Sequence, residues 1–374
     1  MIPAQLVEDY EVIGLIGKGA FSQVYSAIHK RSNARVALKL TQLESASALD
    51  AESQILNFKG RPAGVPKLVS QLVCGSLRMT VLELLGESFF DMMQKRRTPL
   101  PLDLVVKGLY DGLKVLKWLH KKGFVHRDVK PDNLLLGCGD NSHQTYLIDY
   151  SESRPFRNQA SFDSLVGSPY FASLNVLQDG EEGPGDDVEG LLCSMVYLLQ
   201  GNLPWMGIVE VDPDRLRKLV RTKKEATTPA QLCKKAPSEF EAIFLHIRSL
   251  QPLALPDYSL LFSFTKALAK RISLDLKPAL RVHSQHMKKR GSFCATGSET
   301  INPAARSSSM RHYAGKNKLC PESGIVPGTE ESKETEEVNT EDIPTLVSAK
   351  LPSFTSRVLT ELLRRRMLRR KIGL

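Results

Sequence analysis

Apolar and polar positions near the start of the chain form short runs that are typical of β-strands. Such runs cover residues 10–16, 24–28 and 35–40, and a further one covers residues 79–85. Between the third and fourth runs, residues 43–58 change to a period of three to four, which favours a helix. The pattern therefore predicts a strand-rich N-terminal region that contains one helix.

Beyond residue 100 the pattern is mainly helical. Residues 102–122 repeat apolar side chains at intervals of three and four, namely Leu104, Val105, Leu109, Leu113, Leu116 and Leu119. Short strands are expected at 134–136 and 146–148. Residues 186–270 read as helices separated by loops that contain Pro204, Pro213, Pro229, Pro237, Pro252 and Pro256. The expected fold is α+β with two lobes, a small strand-rich one and a larger helical one, and not a doubly wound sheet.

Residues 281–374 differ in composition from the rest of the chain. Residues 281–351 lose apolar periodicity and include an acidic segment at 329–342, so we expect a disordered linker. Residues 352–374 become periodic again, with an apolar stripe followed by many arginines, which predicts a basic amphipathic helix. Such a helix could bind an acidic partner or an anionic membrane surface, and the alternative is a frayed helix that carries a localisation signal.

Charge and composition narrow the class of protein. Hydrophobic residues make up 42% and charged residues 25% of the 374 residues, which excludes a wholly disordered chain. The net charge is +10, but the residues after 280 hold 17 basic against 10 acidic side chains, so the body is nearly neutral. Specific nucleic-acid binding is therefore not expected of the body. The six cysteines lack zinc spacing, and no signal peptide or membrane span is expected.

The densest chemical signal is the run His126-Arg127-Asp128-Val129-Lys130-Pro131-Asp132-Asn133. In a tight loop, Asp128 can accept a proton from a hydroxyl, Lys130 can reach a phosphate, and Asn133 can offer an amide oxygen to a divalent cation. The run resembles the catalytic loop of eukaryotic protein kinases. The alternative reading is a charged surface loop.

Other stretches resemble kinase elements in the same order along the chain. Gly17-Lys18-Gly19 lies between two predicted strands like a glycine-rich loop, although Ser22 stands where a third glycine is usual and a plain hairpin would look similar. The resemblance implies that ATP contacts a set of small and apolar residues here: Ile16, Gly17, Gly19, Val24 and Ala37.

The resemblance also assigns charged and hinge positions. Lys39 would pair with the nucleotide phosphates, and Glu52 would be its ion-pair partner, with Glu44 as the competing candidate. Asp149 would hold Mg²⁺ together with Asn133. The remaining assignments are the hinge residues Glu83 and Leu85 at the adenine edge, the bulky Leu82 behind it, and a buried Asp187 that would hold the catalytic loop.

Several stretches resemble the casein kinase 1 family over about residues 10–275: 83–88, 126–133, 171–175, 186–189, 203–205 and 256–259. That family reads acidic or phosphorylated residues through basic groups in its large lobe. Here Tyr170 and Leu216 occupy two of those positions, although Arg215 and Arg217 flank the second. A preference for acidic or phosphorylated substrates therefore does not carry over from the resemblance.

The sequence thus predicts a kinase domain at 10–280, with an N-lobe at about 10–85 and a C-lobe at about 86–280. The resemblance implies a monomeric, ATP- and Mg²⁺-dependent serine/threonine kinase that acts on protein substrates. We expect a cytoplasmic location, and Lys288-Lys289-Arg290 is a candidate nuclear address or a solvated charge run. The alternative function is a nucleotide-binding scaffold with weak or no catalysis, since Ser22 and Ser151 replace two glycines of the kinase pattern.

Overall fold

A computed structural model describes residues 7–19, 22–42, 51–157 and 167–276. The N-terminal lobe is one antiparallel sheet whose strand order is β1-β2-β3-β5-β4. Its strands are β1 Tyr10–Lys18, β2 Ser22–His29, β3 Arg35–Gln42, β4 Leu68–Cys74 and β5 Leu77–Glu83. Helix α1, Ala51–Asn57, follows β3 in the chain, and Glu52, Ile55 and Leu56 are among its buried residues.

The core of this lobe forms where the central strands meet. Ala27 of β2, Leu38 of β3, and Met79 and Val81 of β5 are fully buried in one cluster. Leu38 is paired with Val81 across the ladder, so β-branched and γ-branched side chains pack against each other there. This packing gives Lys39, the next residue on β3, a rigid support.

The C-terminal lobe is mainly helical. Its helices are α2 Phe89–Arg96, α3 Leu102–Lys121, α4 Leu174–Leu177, α5 Pro184–Gln200, α6 Pro213–Glu225, α7 Pro229–Leu232, α8 Ser238–Arg248 and α9 Tyr258–Arg271. Four short strands form two antiparallel pairs, β6 Phe124–Val125 with β9 Arg154–Pro155, and β7 Leu134–Leu136 with β8 Thr145–Leu147. Helix α3 packs against α5 and α9, and its apolar stripe is buried as its period predicts.

The two-lobed α+β fold that the pattern predicts is confirmed. The structure adds β4 and α2, which the pattern did not predict, and it corrects the reading of two prolines. Pro213 and Pro229 occupy the first positions of α6 and α7 and are not in loops. A proline there is favourable because the first helical N–H has no partner in the helix and the ring already has a helical φ.

Several predictions fall outside the described residues. They are the start of the helix at 43–50, the linker at 281–351 and the basic helix at 352–374. Among the residues that are described, no helix is both long enough and apolar enough to cross a bilayer.

Candidate active site

The loop between β6 and β7 carries the predicted catalytic residues, and a buried carboxylate holds its backbone. The N–H groups of His126 and Arg127 donate to the two oxygens of Asp187 on α5, at 2.7 and 2.9 Å. Arg127 has a φ of 70°, a left-handed conformation that is uncommon for a residue with a side chain. The contact predicted for Asp187 is present, and it stabilises this loop conformation.

Asp187 is itself supported by groups from two other helices. His120 Nε2 lies 2.8 Å from its Oδ2, and the Tyr258 hydroxyl lies 2.6 Å from His120 Nδ1. Burial alone would favour the neutral acid, but the hydrogen bond and charge of His120 outweigh it and the pKa of Asp187 is lowered. The carboxylate therefore stays ionised and keeps accepting from the loop.

Asp128, Lys130 and Asn133 come together within this loop. Lys130 Nζ donates to Asp128 Oδ2 at 2.5 Å, and Asn133 Nδ2 donates to the Asp128 carbonyl and carboxylate at 2.8 and 3.0 Å. Burial lowers the pKa of Lys130, but the charge of Asp128 more than compensates and the net shift is upward. The lysine is therefore a cation at neutral pH, next to the carboxylate that could receive a proton.

The backbone at Gly167 also passes close to Asp128. Gly167 has a φ of +81°, and a Cβ added there would lie 2.7 Å from Asp128 Oδ1. Only glycine allows this backbone to pass so close to the carboxylate.

Lys39 joins the two lobes. Its Nζ lies 2.6 Å from Glu52 Oε1 and 2.8 Å from Asp149 Oδ1. Burial lowers the pKa of Lys39, but the charges of Asp149 and Glu52 outweigh it and the net pKa is raised. Burial raises the pKa of Asp149, but the charge and hydrogen bond of Lys39 outweigh it and hold that pKa well below its ordinary range. The predicted partner Glu52 is thus in contact, while its competitor Glu44 lies outside the described residues.

The turn that carries Asp149 tolerates serine after Tyr150. Asp149 has a φ of 67°, whereas Ser151 is not among the described residues with positive φ. The Ser151 hydroxyl donates to Asp149 Oδ1 at 3.0 Å, and the buried Tyr150 donates its hydroxyl to the Leu147 carbonyl at 2.9 Å. Serine at this position therefore adds a hydrogen bond to Asp149 and demands no strained backbone.

Replacing Ser151 by glycine is expected to change little. The variant loses one exposed hydrogen bond, which contributes about 0.5–1.5 kcal/mol at most, and gains backbone freedom. We expect the affinity for Mg²⁺-nucleotide to change by less than about tenfold, measured by calorimetry against the wild type. A complete loss or a large gain of binding in the glycine variant would contradict this interpretation of the turn.

The residues predicted to contact ATP in the glycine-rich region lie on the first three strands, except Gly19, which directly follows β1. Gly17 is opposite Val24 across the β1–β2 ladder, and Ile16 lies at an irregularity of that ladder, between Leu15 and Gly17. Val24 is paired in turn with Lys39. The Gly19 N–H donates to the Ser22 carbonyl at 2.6 Å. The ladder pairs Gly17 with Val24 and Val24 with Lys39, so these three positions lie side by side across the first three strands.

The hinge residues follow directly from β5. Ala37 is buried and is paired with Leu82, the residue before Glu83. Glu83 ends β5 and is anchored to Lys67, whose N–H donates to its carboxylate at 2.7 Å. Leu85, the second predicted hinge residue, is half-buried. It precedes Gly86, whose N–H donates to the Leu136 carbonyl at 2.8 Å.

The donor set near Asp149 suits a magnesium ion. Magnesium prefers oxygen ligands and keeps several waters and phosphate oxygens, so one or two protein ligands suffice. Asp149 offers a carboxylate, and since the nitrogen of the Asn133 amide donates to Asp128, the oxygen of that amide is the atom that can coordinate a cation. In the described residues, no group of three His, Cys, Asp or Glu side chains could hold a metal by itself.

The two arginines that flank Leu216 are engaged within the chain. Arg217 lies 2.6 Å from Asp179 and also donates to the Val176 carbonyl at 2.7 Å. Arg215 lies 3.2 Å from Glu210. Leu216 itself is buried. An anion site on these arginines would therefore need to displace carboxylates that already neutralise them.

One pair of contacts near the loop was not predicted. Glu182, in the loop before α5, binds the guanidinium of Arg127 and also contacts Arg154 of β9. In the sequence, Glu181 and Glu182 are simply two adjacent acidic residues close to Asp187. Their spacing does not indicate that Glu182 is buried while Glu181 is exposed. The contact depends on the fold and on residues more than fifty positions apart.

The two lobes, the ion-paired lysine between them and the loop aspartate beside a second lysine define a class: a two-lobed, nucleotide-dependent phosphotransferase. Residues 10–253, more than half of the chain, match the family model described as a protein kinase domain. The chain therefore belongs to the protein kinase domain family. This membership supports kinase activity toward proteins, and the family generally uses ATP and Mg²⁺.

Proposed function

We propose that this protein is a serine/threonine kinase that transfers the γ-phosphoryl group of ATP to protein hydroxyls. The observation that carries the proposal is the hydrogen bond of 2.5 Å from Lys130 Nζ to Asp128 Oδ2. A lysine two residues after the loop aspartate is typical of serine/threonine kinases.

The geometry supports a mechanism based on positioning and charge. Asp128 would orient the acceptor hydroxyl and receive its proton as the acceptor oxygen bonds to the γ-phosphorus and the bond to the β-phosphate oxygen breaks, which releases ADP. Lys130 would stabilise charge on the group in transfer, and Lys39 would hold the α- and β-phosphates. Asn133 and Asp149 would hold Mg²⁺, which neutralises phosphate charge when bound.

Contacts between residues 171–175 and residues 186–189, two of the stretches that resemble the casein kinase 1 family, favour a kinase of that type. The Ser173 hydroxyl donates to Asp186 Oδ1 at 2.5 Å, and Asn175 donates to both oxygens of the same carboxylate. The Leu174 N–H donates to Glu189 at 3.3 Å. The Ser-Leu-Asn stretch and the Asp-Asp-Val-Glu stretch thus act as one unit, which supports the proposal that both come from the same subfamily pattern.

The test is transfer of labelled phosphate from Mg²⁺-ATP to casein and to the protein itself, followed by acid hydrolysis and separation of phosphoamino acids. We expect label on phosphoserine and phosphothreonine and none on phosphotyrosine. Label on phosphotyrosine alone would exclude the serine/threonine assignment. An unlabelled reaction in which nucleotide still binds would favour the alternative, a kinase-fold scaffold, to which Ser22 and Ser151 point.

A further inference from the structure

Two arginines from separate parts of the active site meet on one carboxylate. The guanidinium of Arg127 donates to both oxygens of Glu182, through Nε to Oε2 and through Nη2 to Oε1, the latter at 3.2 Å. Arg154 Nη2 of β9 lies 3.3 Å from the same Oε2. The three side chains are 7%, 12% and 17% exposed for Arg127, Glu182 and Arg154, so solvent screens these contacts little.

The position of this cluster connects it to the chemistry. Arg127 directly precedes Asp128 and has the left-handed φ that Asp187 supports. Its Nη1 also lies 3.4 Å from the carbonyl of Glu152, which follows the Asp149 turn. The bidentate contact fixes the plane of the guanidinium, and through it Glu182 joins the catalytic loop to the strand that follows Asp149.

Paired arginines of this kind are a general binding arrangement for a phosphoryl group, and phosphorylation often orders a segment by supplying the anion. Here a buried carboxylate of the same chain already neutralises both guanidinium groups. A phosphoryl group that bound both arginines through the atoms now in contact with Glu182 would have to displace that carboxylate. The cluster is therefore filled in the unmodified protein.

We propose that Glu182 is a positioning residue that supplies, from within the chain, the anion that holds the catalytic loop against β9. The kinase accordingly needs no phosphoryl group at Arg127 and Arg154 to be active. This inference rests on the proposed function, because it concerns the activity of the same site. The inference also predicts that Arg127 and Arg154 bind an anion once Glu182 is removed. That binding can be measured without any catalytic activity.

The experiment compares E182A, E182Q and E182D with the wild type and with E181A, a matched control at the neighbouring exposed glutamate. We expect kcat of E182A and E182Q to fall about 10- to 100-fold with little change in the KM for ATP, and E182D to retain more activity. Sodium sulfate should raise the activity of E182A several-fold and leave that of the wild type and E181A unchanged. Calorimetry should detect sulfate binding to E182A and not to the wild type.

Phosphatase treatment of the wild-type protein provides an independent arm. We expect the treated protein, checked by mass spectrometry, to keep its activity. Loss of activity on dephosphorylation, full activity of E182Q, or absence of both sulfate binding and sulfate rescue in folded E182A would each overturn the proposal. If E182A does not fold, E182Q and the phosphatase arm decide. If E182A binds sulfate but the wild-type protein transfers no phosphate, the proposed function is overturned and the anion site is established.

Discussion

Replacing Asp128 by asparagine is expected to lower turnover by about 10²- to 10⁴-fold, the usual contribution of a positioned general base. The amide keeps the shape of the side chain and can still contact Lys130 and Asn133, but it cannot take a proton from the acceptor hydroxyl. The nucleotide site is formed by other residues, so the affinity for ATP should stay within about threefold of the wild type. Initial rates of phosphate transfer to casein and calorimetric nucleotide binding measure the two effects.

Asp140→Asn provides the matched control, because it makes the same chemical change at an exposed position in the same lobe. Its turnover should equal that of the wild type. Undiminished turnover in Asp128→Asn would show that this loop is not the site of transfer. A variant that loses nucleotide binding together with turnover would indicate a structural role for Asp128.

The second large effect is expected for Asp149→Asn. This change removes the carboxylate proposed as a Mg²⁺ ligand and one of the two anionic partners of Lys39, which then retains Glu52. Loss of one such ligand should reduce phosphate transfer by about 10²-fold or more, since the metal contributes several kcal/mol of charge stabilisation. The affinity for ATP should become nearly independent of added Mg²⁺.

The pH dependence gives this prediction a further check. The lowered pKa of Asp149 keeps the wild-type carboxylate ionised, so the ratio of wild-type to variant rates should be constant between about pH 6 and 8. Ser151→Gly is the control because it alters the same turn and keeps the carboxylate. A Mg²⁺ dependence in Asp149→Asn equal to that of the wild type would place the metal elsewhere.

The fold was predictable where one periodicity dominates a long segment. Helix α3 repeats its apolar residues over twenty positions, and the structure buries them as the repeat implies. Strand β4 was missed because Val69, Leu72 and Val73 are exposed, so an edge strand lacks clean alternation. Helix α2 has only eight residues, too few for a period to show, although Ser88 caps it by accepting from the Asp91 N–H at 3.0 Å.

The residues of the candidate site that lie close together in the sequence were the easiest to predict. Asp128, Lys130 and Asn133 lie in one run, and their types and spacing already indicate their chemistry. Lys39 and Asp149 are 110 positions apart, so only the resemblance to a family joined them before the structure did. Glu182 had neither a local motif nor a family position, because its burial results from two arginines that the tertiary fold brings to it.

The hydrogen bonds from Tyr258 through His120 to Asp187 bear on where this enzyme can be divided. The family match ends at residue 253, yet Tyr258 begins α9, beyond that limit. A chain cut at 253 would lose the aromatic contact of Phe262 with Tyr110 on α3 as well as the hydroxyl that bonds His120. The contacts of α9 therefore extend the packed structure of this lobe beyond the stretch that similarity delimits, and a truncated chain should keep Tyr258–Arg271.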